Sequence, residues 1–203
     1  MGNSKNNEIA VGIFSADSFE DQTFQDIACQ QQDISHKEFS GCIFNKCDFN
    51  ECDLSGSVFI DCKFINCSLA NIKIGNCEFR HVAFDGCKLI GVVFSTINTL
   101  LLSWEFKKCK IGLCNFSNLS IKHSRFIDCV IQGTDFIKVD LSGADFSGSD
   151  LQNSTFQAAN LEKACFIGAW NYYIDPNQNK LKQARFAYPE VLSLLTPFGI
   201  KIE

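Results

Sequence analysis

The chain has 203 residues, with 23 Asp and Glu against 18 Lys and Arg and a formal net charge of −5. That balance argues against a basic surface that holds nucleic acid directly. No apolar run is long enough to span a bilayer. Met1 to Glu8 (MGNSKNNE) lacks the apolar stretch of a secretory signal, so the sequence reads as a cytoplasmic protein without a membrane partner.

Residues 1–13 read as an N-terminal extension. From Phe14 a large apolar residue returns every fifth position, at Phe19, Phe24, Ile34, Phe39, Phe44, Phe49, Leu54, Phe59 and on to Phe94. A helix needs a period near 3.6 and a strand a period of 2, so this is a repeat architecture. Ile34, Leu54 and Ile74 are alike at intervals of 20, as are Phe39, Phe59 and Phe79, and Phe44, Phe64 and Phe84. Like stacked on like every 20 residues means four repeats per coil, one on each side of a square. Two residues before each centre lies a small inward slot, filled by Cys42, Cys47, Cys52, Ser57, Cys62 and their successors.

The first run of repeats spans 14–94. At 95–105 (STINTLLLSWE) the phase slips by two residues, which reads either as a coil with extra residues bulged out or as a junction between two sub-rods. A second run with its cap spans 106–187, and in it Phe106, Phe126, Phe146 and Phe166 predict one continuous stack of rings. About 30 repeats at four per coil give about 7.5 coils and a rod roughly 36 Å long. Such coils cannot bury a core alone and depend on their neighbours.

Of the 12 cysteines, ten fall in the small inward slot. Successive ones face different sides of the square, so they do not converge on a metal, and they read as reduced packing residues. The exceptions are Cys29, at a centre, and Cys165, facing outward. Residues 188–203 predict a short helix from Pro189, stopped by Pro197, and then a strand over Phe198, Ile200 and Ile202. Its apolar residues, Val191, Leu192, Leu194, Leu195, Phe198, Ile200 and Ile202, exceed what one narrow rod end can hide, and predict a homodimer interface.

Ala144-Asp145-Phe146-Ser147-Gly148 and Ala159-Asn160-Leu161-Glu162-Lys163 match the A-(D/N)-L-x-x motif and its Phe variant. On these motifs, repeated along nearly the whole chain, the sequence resembles the pentapeptide-repeat proteins. The resemblance implies an all-β fold, a right-handed quadrilateral β-helix of about 7–8 coils. The stretch from Phe166 to Glu203 resembles the tail of topoisomerase-protecting members, the albicidin-resistance, Qnr and MfpA types. That implies a C-terminal homodimer whose acidic rod imitates duplex DNA, engages DNA gyrase or topoisomerase IV, and protects it from quinolones or gyrase-poisoning toxins. The sequence departs from the Qnr pattern in having no long projecting polar loops and in the apolar character of its phase break.

Imitation of DNA requires negative charge arrayed along the rod. The side centred on Phe19, Phe39, Phe59 and Phe79 carries Glu20, Asp21, Glu38, Asp61 and Glu78 against Arg80. Asp135, Asp140, Asp145 and Asp150 fall one per side in the second run, with Asp128 on the same side as Asp145. An aspartate before the centre also belongs to the repeat motif, and Lys63, Lys73, Lys88, Lys107, Lys108, Lys110 and Lys122 dilute the field. His36, His81 and His123 are scattered on outward positions, and no acid–base cluster, phosphate-binding loop, metal site or cofactor site is legible. The sequence therefore reads as a non-enzymatic, protein-binding rod with no small-molecule substrate. A scaffold for an unrelated protein partner is the alternative.

Overall fold

In the computed structural model, which describes residues 12–99 and 102–201, the five-residue stride becomes a four-walled β-solenoid of about eight turns. The turning device is the backbone of the fifth residue of each repeat. Asp21, Asp61, Asn66, His81, Asp128 and Lys138 stand at φ of 50–54°. A left-handed residue cannot continue a strand, so most β-segments stop after three residues and the chain turns onto the next wall. Glycine takes this conformation freely, and Asn and Asp tolerate it better than most residues. At Gly41 and Gly148 there is a second constraint. A Cβ there would lie 2.1 Å from Oδ1 of Asp21 and 2.3 Å from Oδ1 of Asp128, because the corner aspartate of the preceding coil lies across the glycine.

With the walls numbered in chain order from Phe14, the second is a parallel sheet of Ser18–Glu20, Glu38–Ser40, Val58–Ile60 and Glu78–Arg80. The third has six strands: Thr23–Gln25, Ile43–Asn45, Lys63–Ile65, Val82–Asp85, Trp104–Lys107 and Arg125–Ile127. The fourth carries Ser68–Ala70, Lys88–Ile90, Lys110–Gly112 and Val130–Gln132. The first is tied by single bridges such as Asp33 to Asp53 and Asp53 to Lys73, and later by Asp135–Ile137 beside Thr155–Gln157.

The centres fill the interior. Phe24, Phe44, Phe64, Phe84, Phe106, Phe126, Phe146, Phe166 and Phe186 form one column, with ring centroids 4.7–5.1 Å apart and planes within 13°. This is the separation at which aromatic pairs attract. The column extends the stack expected from Phe106 to Phe166 at both ends.

The small slot also has a chemical role. Sγ of Cys62, Cys67 and Cys87 lies 3.2–3.4 Å from the carbonyl oxygens of Phe39, Phe44 and Phe64. Ser57 and Ser149 donate to the carbonyls of Ile34 and Phe126 in the same way, at 3.1 and 2.7 Å. The cysteines are free thiols, buried except for Cys165, which is half-buried. Burial pushes the thiols of Cys62 and Cys77 up to about 12 and that of Cys114 up to about 11, so they remain protonated donors.

The phase slip is absorbed on one wall. Phe84 pairs with Phe106 and Leu89 with Ile111, and the rings of Phe94 and Phe116 stack at 4.5 Å. The third, fourth and first walls therefore pass the break in register. On the second wall Asn98 still pairs with Glu78, but Leu102 meets Arg80 in antiparallel sense and Thr99 is exposed. Leu100 and Leu101 lie outside the described residues. Trp104 supplies the missing interior bulk. Its indole lies 5.3 Å from Phe94 and 6.2 Å from Phe79, and Nε1 donates to the Phe79 carbonyl at 3.1 Å, the bond a cysteine makes elsewhere.

Two expectations for the tail are corrected. A 3₁₀ helix runs over Glu190–Phe198 with Pro197 inside it, and Gly199, at φ 64°, ends it. Proline near a helix C-terminus removes only one late hydrogen bond, whereas the left-handed glycine reverses the backbone. The strand expected over Phe198, Ile200 and Ile202 does not form among the described residues. Phe198 belongs to the helix, Ile200 is in no strand, and Ile202 lies outside the described residues. No described helix is long and apolar enough to cross a membrane.

Candidate protein-binding surface

The second wall carries the acidic stripe. Glu20, Asp21, Glu38 and Asp61 are exposed, and Glu78 is half-buried. The register gives the stripe an internal order. Before the centres the wall reads Ser18, Glu38, Val58, Glu78, and at the corner Asp21, Gly41, Asp61, His81. Along each of these two columns a carboxylate alternates with another kind of residue. Like charges then stand two coils apart, roughly 9.6 Å, rather than one, which limits their repulsion. Glu78 is held by an ion pair with Arg80 and by a 2.9 Å hydrogen bond from Asn98. Asp61 lies 3.4 Å from Nδ1 of His81, and Asp21 is laid across Gly41. Glu20 and Glu38 have no ion-pair partner among the described residues.

The second-run aspartates are tied into the backbone. Asp135, Asp140, Asp145 and Asp150 stand one per wall and are half-buried. Asp140, Asp145 and Asp150 accept the amide N–H two residues on, from Ser142, Ser147 and Gln152, at 3.0, 3.0 and 3.2 Å. Burial works to raise the Asp140 carboxyl, but its bonds from Ser142 and its pairing with Lys122 outweigh that and hold it below the usual range. Asp128 lies across Gly148. Residues 12–99 hold twelve Asp and Glu against six Lys and Arg, a net −6, whereas 102–201 hold nine against eleven, a net +2. The negative potential therefore belongs to the first half. Among the described residues no group of three His, Cys, Asp or Glu is placed to hold a metal ion.

A family model described as the pentapeptide repeat region matches residues 37–100, 57–136 and 97–166. The chain belongs to the pentapeptide-repeat family. No curated protein matches it. Among solved structures it is similar to HetL, a pentapeptide repeat protein involved in heterocyst differentiation regulation in Nostoc sp. strain PCC 7120. The TM-score is 0.71 and the identity 16%, over 87% of this chain and 77% of HetL. It is also similar to QnrB1, a plasmid-mediated fluoroquinolone resistance protein. A trypsin-treated QnrB1 gives a TM-score of 0.60 at 17% identity, over 93% of this chain and 98% of that one. Full-length QnrB1 gives 0.55 at 18%, over 90% and 100%. At these identities the likeness shows the fold.

On this pentapeptide-repeat frame the tail residues lie together at one end. Val191, Leu192, Leu194 and Leu195 are half-buried in the 3₁₀ helix, while Phe198 and Ile200 are 52% and 53% exposed. Tyr172, Phe166 and Phe186 pack beneath, with Tyr172 5.7 Å from each of the other two rings. Burial, then the nearby Glu190, push the Tyr172 phenol up to about 12. Sequence reasoning found the stripe's carboxylates but missed their alternation. The signal was present as a forty-residue spacing, Glu38 to Glu78 and Asp21 to Asp61.

Proposed function

We propose that this pentapeptide-repeat rod is a cytoplasmic DNA mimic that binds DNA gyrase or topoisomerase IV and protects it from quinolones or gyrase-poisoning toxins. The observation that carries the reading is the second-wall stripe of Glu20, Asp21, Glu38, Asp61 and Glu78 on four successive strands. Four coils span roughly 15 Å from first to last. One strand of a duplex places a phosphate about every 3.4 Å, or about four over that length. With Arg80 paired to Glu78, the five carboxylates leave a net charge of about −4, close to that of one DNA strand over this length, and a groove built for phosphate attracts them. QnrB1, a fluoroquinolone resistance protein, shares the fold. Under this reading the exposed Phe198 and Ile200 are covered by a second copy, giving a C-terminal homodimer.

Supercoiling by purified gyrase, with and without a quinolone, tests it. The rod should inhibit supercoiling or restore it in the presence of drug; neither effect over a wide concentration range removes the gyrase reading. Truncation after Tyr188 should give monomers by sedimentation, and a surviving dimer would remove the tail interface. A scaffold for an unrelated protein is the second reading. The balanced charge of residues 102–201 and the shared fold with HetL favour it, and the identity of a co-purifying protein separates the two.

A further inference from the structure

Leu113 departs from the rule that governs the corners. Among the described left-handed non-glycine residues it is the one large aliphatic side chain, at φ 52°, and it is 72% exposed. Elsewhere the position goes almost always to Asp, Asn, His, Lys, Gln or Gly. An exposed leucine there bears backbone strain and gains little burial within its own chain. Gly91 and Gly133 flank it along the corner, and its side chain leans over Gly133 while staying largely exposed. A Cβ on Gly133 would lie 3.1 Å from Leu113 Cδ2. Val93, on the first wall just past the corner, and Val130, opposite Lys110 on the fourth wall, are 45% and 37% exposed. Lys88 and Lys110 edge the patch on the fourth wall, exposed and without an ion-pair partner among the described residues.

The second wall, opposite the fourth, offers the complement. Val58 stands there between Glu38 and Glu78, and Ile60 beside Arg80, which is paired with Glu78, while Asp61 lies at the corner. Glu38 and Asp61 supply the exposed carboxylates around this small apolar strip. We infer that the Leu113 patch of one copy docks on the second-wall stripe of another, as a weak lateral contact between rods. The two surfaces differ and lie on opposite walls, so the contact is heterologous and leaves a free patch and a free stripe. It therefore builds open arrays rather than a closed pair. Patches this small make weak contacts, and pairing lysines with carboxylates makes them salt-sensitive. The inference rests on the geometry at Leu113 and not on the gyrase reading, although it uses some of the same carboxylates. An associated rod would hide its stripe.

The test is sedimentation of the full chain between about 0.01 M and 1 M salt, where the screening length falls from about 30 Å to about 3 Å. At low salt the average mass should rise with concentration beyond a dimer, and high salt should reverse this. One variant combines Leu113→Asn, Lys88→Ala and Lys110→Ala; a second combines Glu38→Lys, Asp61→Lys and Glu78→Lys. Each alone should associate at least tenfold more weakly. An equal mixture should form pairs, because the stripe of the first variant meets the patch of the second. Asparagine suits the corner, so Leu113→Asn alone should keep or raise the melting temperature. A mass insensitive to salt, a mixture that fails to pair, or a melting temperature that falls would each overturn the inference. Leu113→Asn should also leave gyrase inhibition intact. Absence of gyrase inhibition by the Leu113→Asn, Lys88→Ala, Lys110→Ala variant, whose stripe stays free, would remove the gyrase reading alone.

Discussion

Residues 12–99 carry a net charge of −6 and residues 102–201 a net +2, yet one column of phenylalanine rings passes from Phe24 to Phe186 through both. The first half builds its second wall from strands, while after the break that wall is held by single bridges such as Ser120 to Asp140 and Asp140 to Asn160. The comparison separates two kinds of information in each repeat. The centre and the slot before it set the interior and hardly vary between the halves. The other three positions are free, and there the halves diverge in charge and in hydrogen bonding.

The largest expected effect tests whether the halves form one cooperative unit. Phe64 and Phe126 are fully buried in the same column, one on each side of the break. Phe64→Ala and Phe126→Ala should each cost about 3–5 kcal/mol, with a single unfolding transition in denaturant. Two transitions, with only the half that bears the substitution weakened, would show that the break divides the rod thermodynamically.

Charge reversal sharpens the contrast in skin. Glu38→Lys, Asp61→Lys and Glu78→Lys together should weaken gyrase binding by at least tenfold, about 1.4 kcal/mol. Asp145→Lys with Asp150→Lys should change affinity less and stability more. Each removes a carboxylate that caps the amide of Ser147 or Gln152, a net loss of about 1 kcal/mol apiece. Binding titrations and melting curves on both variants check this. Equal losses of affinity would spread the binding surface over the second half.

Most of the interior is legible in the sequence because a period of five can satisfy neither helix nor strand, and large residues at Phe44, Phe64 and Phe84 must then stack. The carboxylates of the stripe are legible for the same reason, since Glu38 and Glu78 fall on one wall by counting. The ties that hold Asp140 and Asp145 are not, because they depend on the path of the backbone into a left-handed corner. The tail misleads because it leaves the repeat. Alternation at Phe198, Ile200 and Ile202 resembles a strand, but among the described residues no strand pairs with Ile200, and Gly199 turns the chain away. Trp104 is legible as an inward residue because it falls in the slot two residues before Phe106, but its filling of the gap on the second wall is legible only once that wall is known to lack a centre at Thr99.

Acid should weaken the two halves through the same device. In the first half the Ser55 hydroxyl, the Ser55 amide and Lys73 hold the Asp53 carboxyl below its usual range, and in the second Asp140 is likewise lowered. A carboxyl whose folded value lies below its unfolded one contributes stability that is fully present above the unfolded value, near 4, and is lost as pH falls through the folded value. Melting temperatures should therefore hold from pH 7 to about 5 and decline below about 4. Asp53→Asn and Asp140→Asn should flatten that decline, each by a similar amount. An unequal response would assign acid sensitivity to one half.

The smallest effect concerns the inward slot, where the halves differ in a quieter way. In the first half most buried slots hold Cys or Ser, which donate to a carbonyl of the preceding coil, as Cys62 does to Phe39 at 3.4 Å, while Ile72, Val82 and Val92 fill it without a donor. The second half also uses Ala144, Ala159 and Ala164, which are buried and donate nothing. If the bond matters, Cys62→Ser should stay within about 1 kcal/mol of the parent, because Ser57 and Ser149 already make the same contact. Cys62→Ala should lose somewhat more, since it gives up both the donor and the volume of a sulfur atom. Denaturant midpoints resolve the difference. Equal losses would mean that the slot selects for size alone, and that the cysteines of the first half are interchangeable with the alanines of the second.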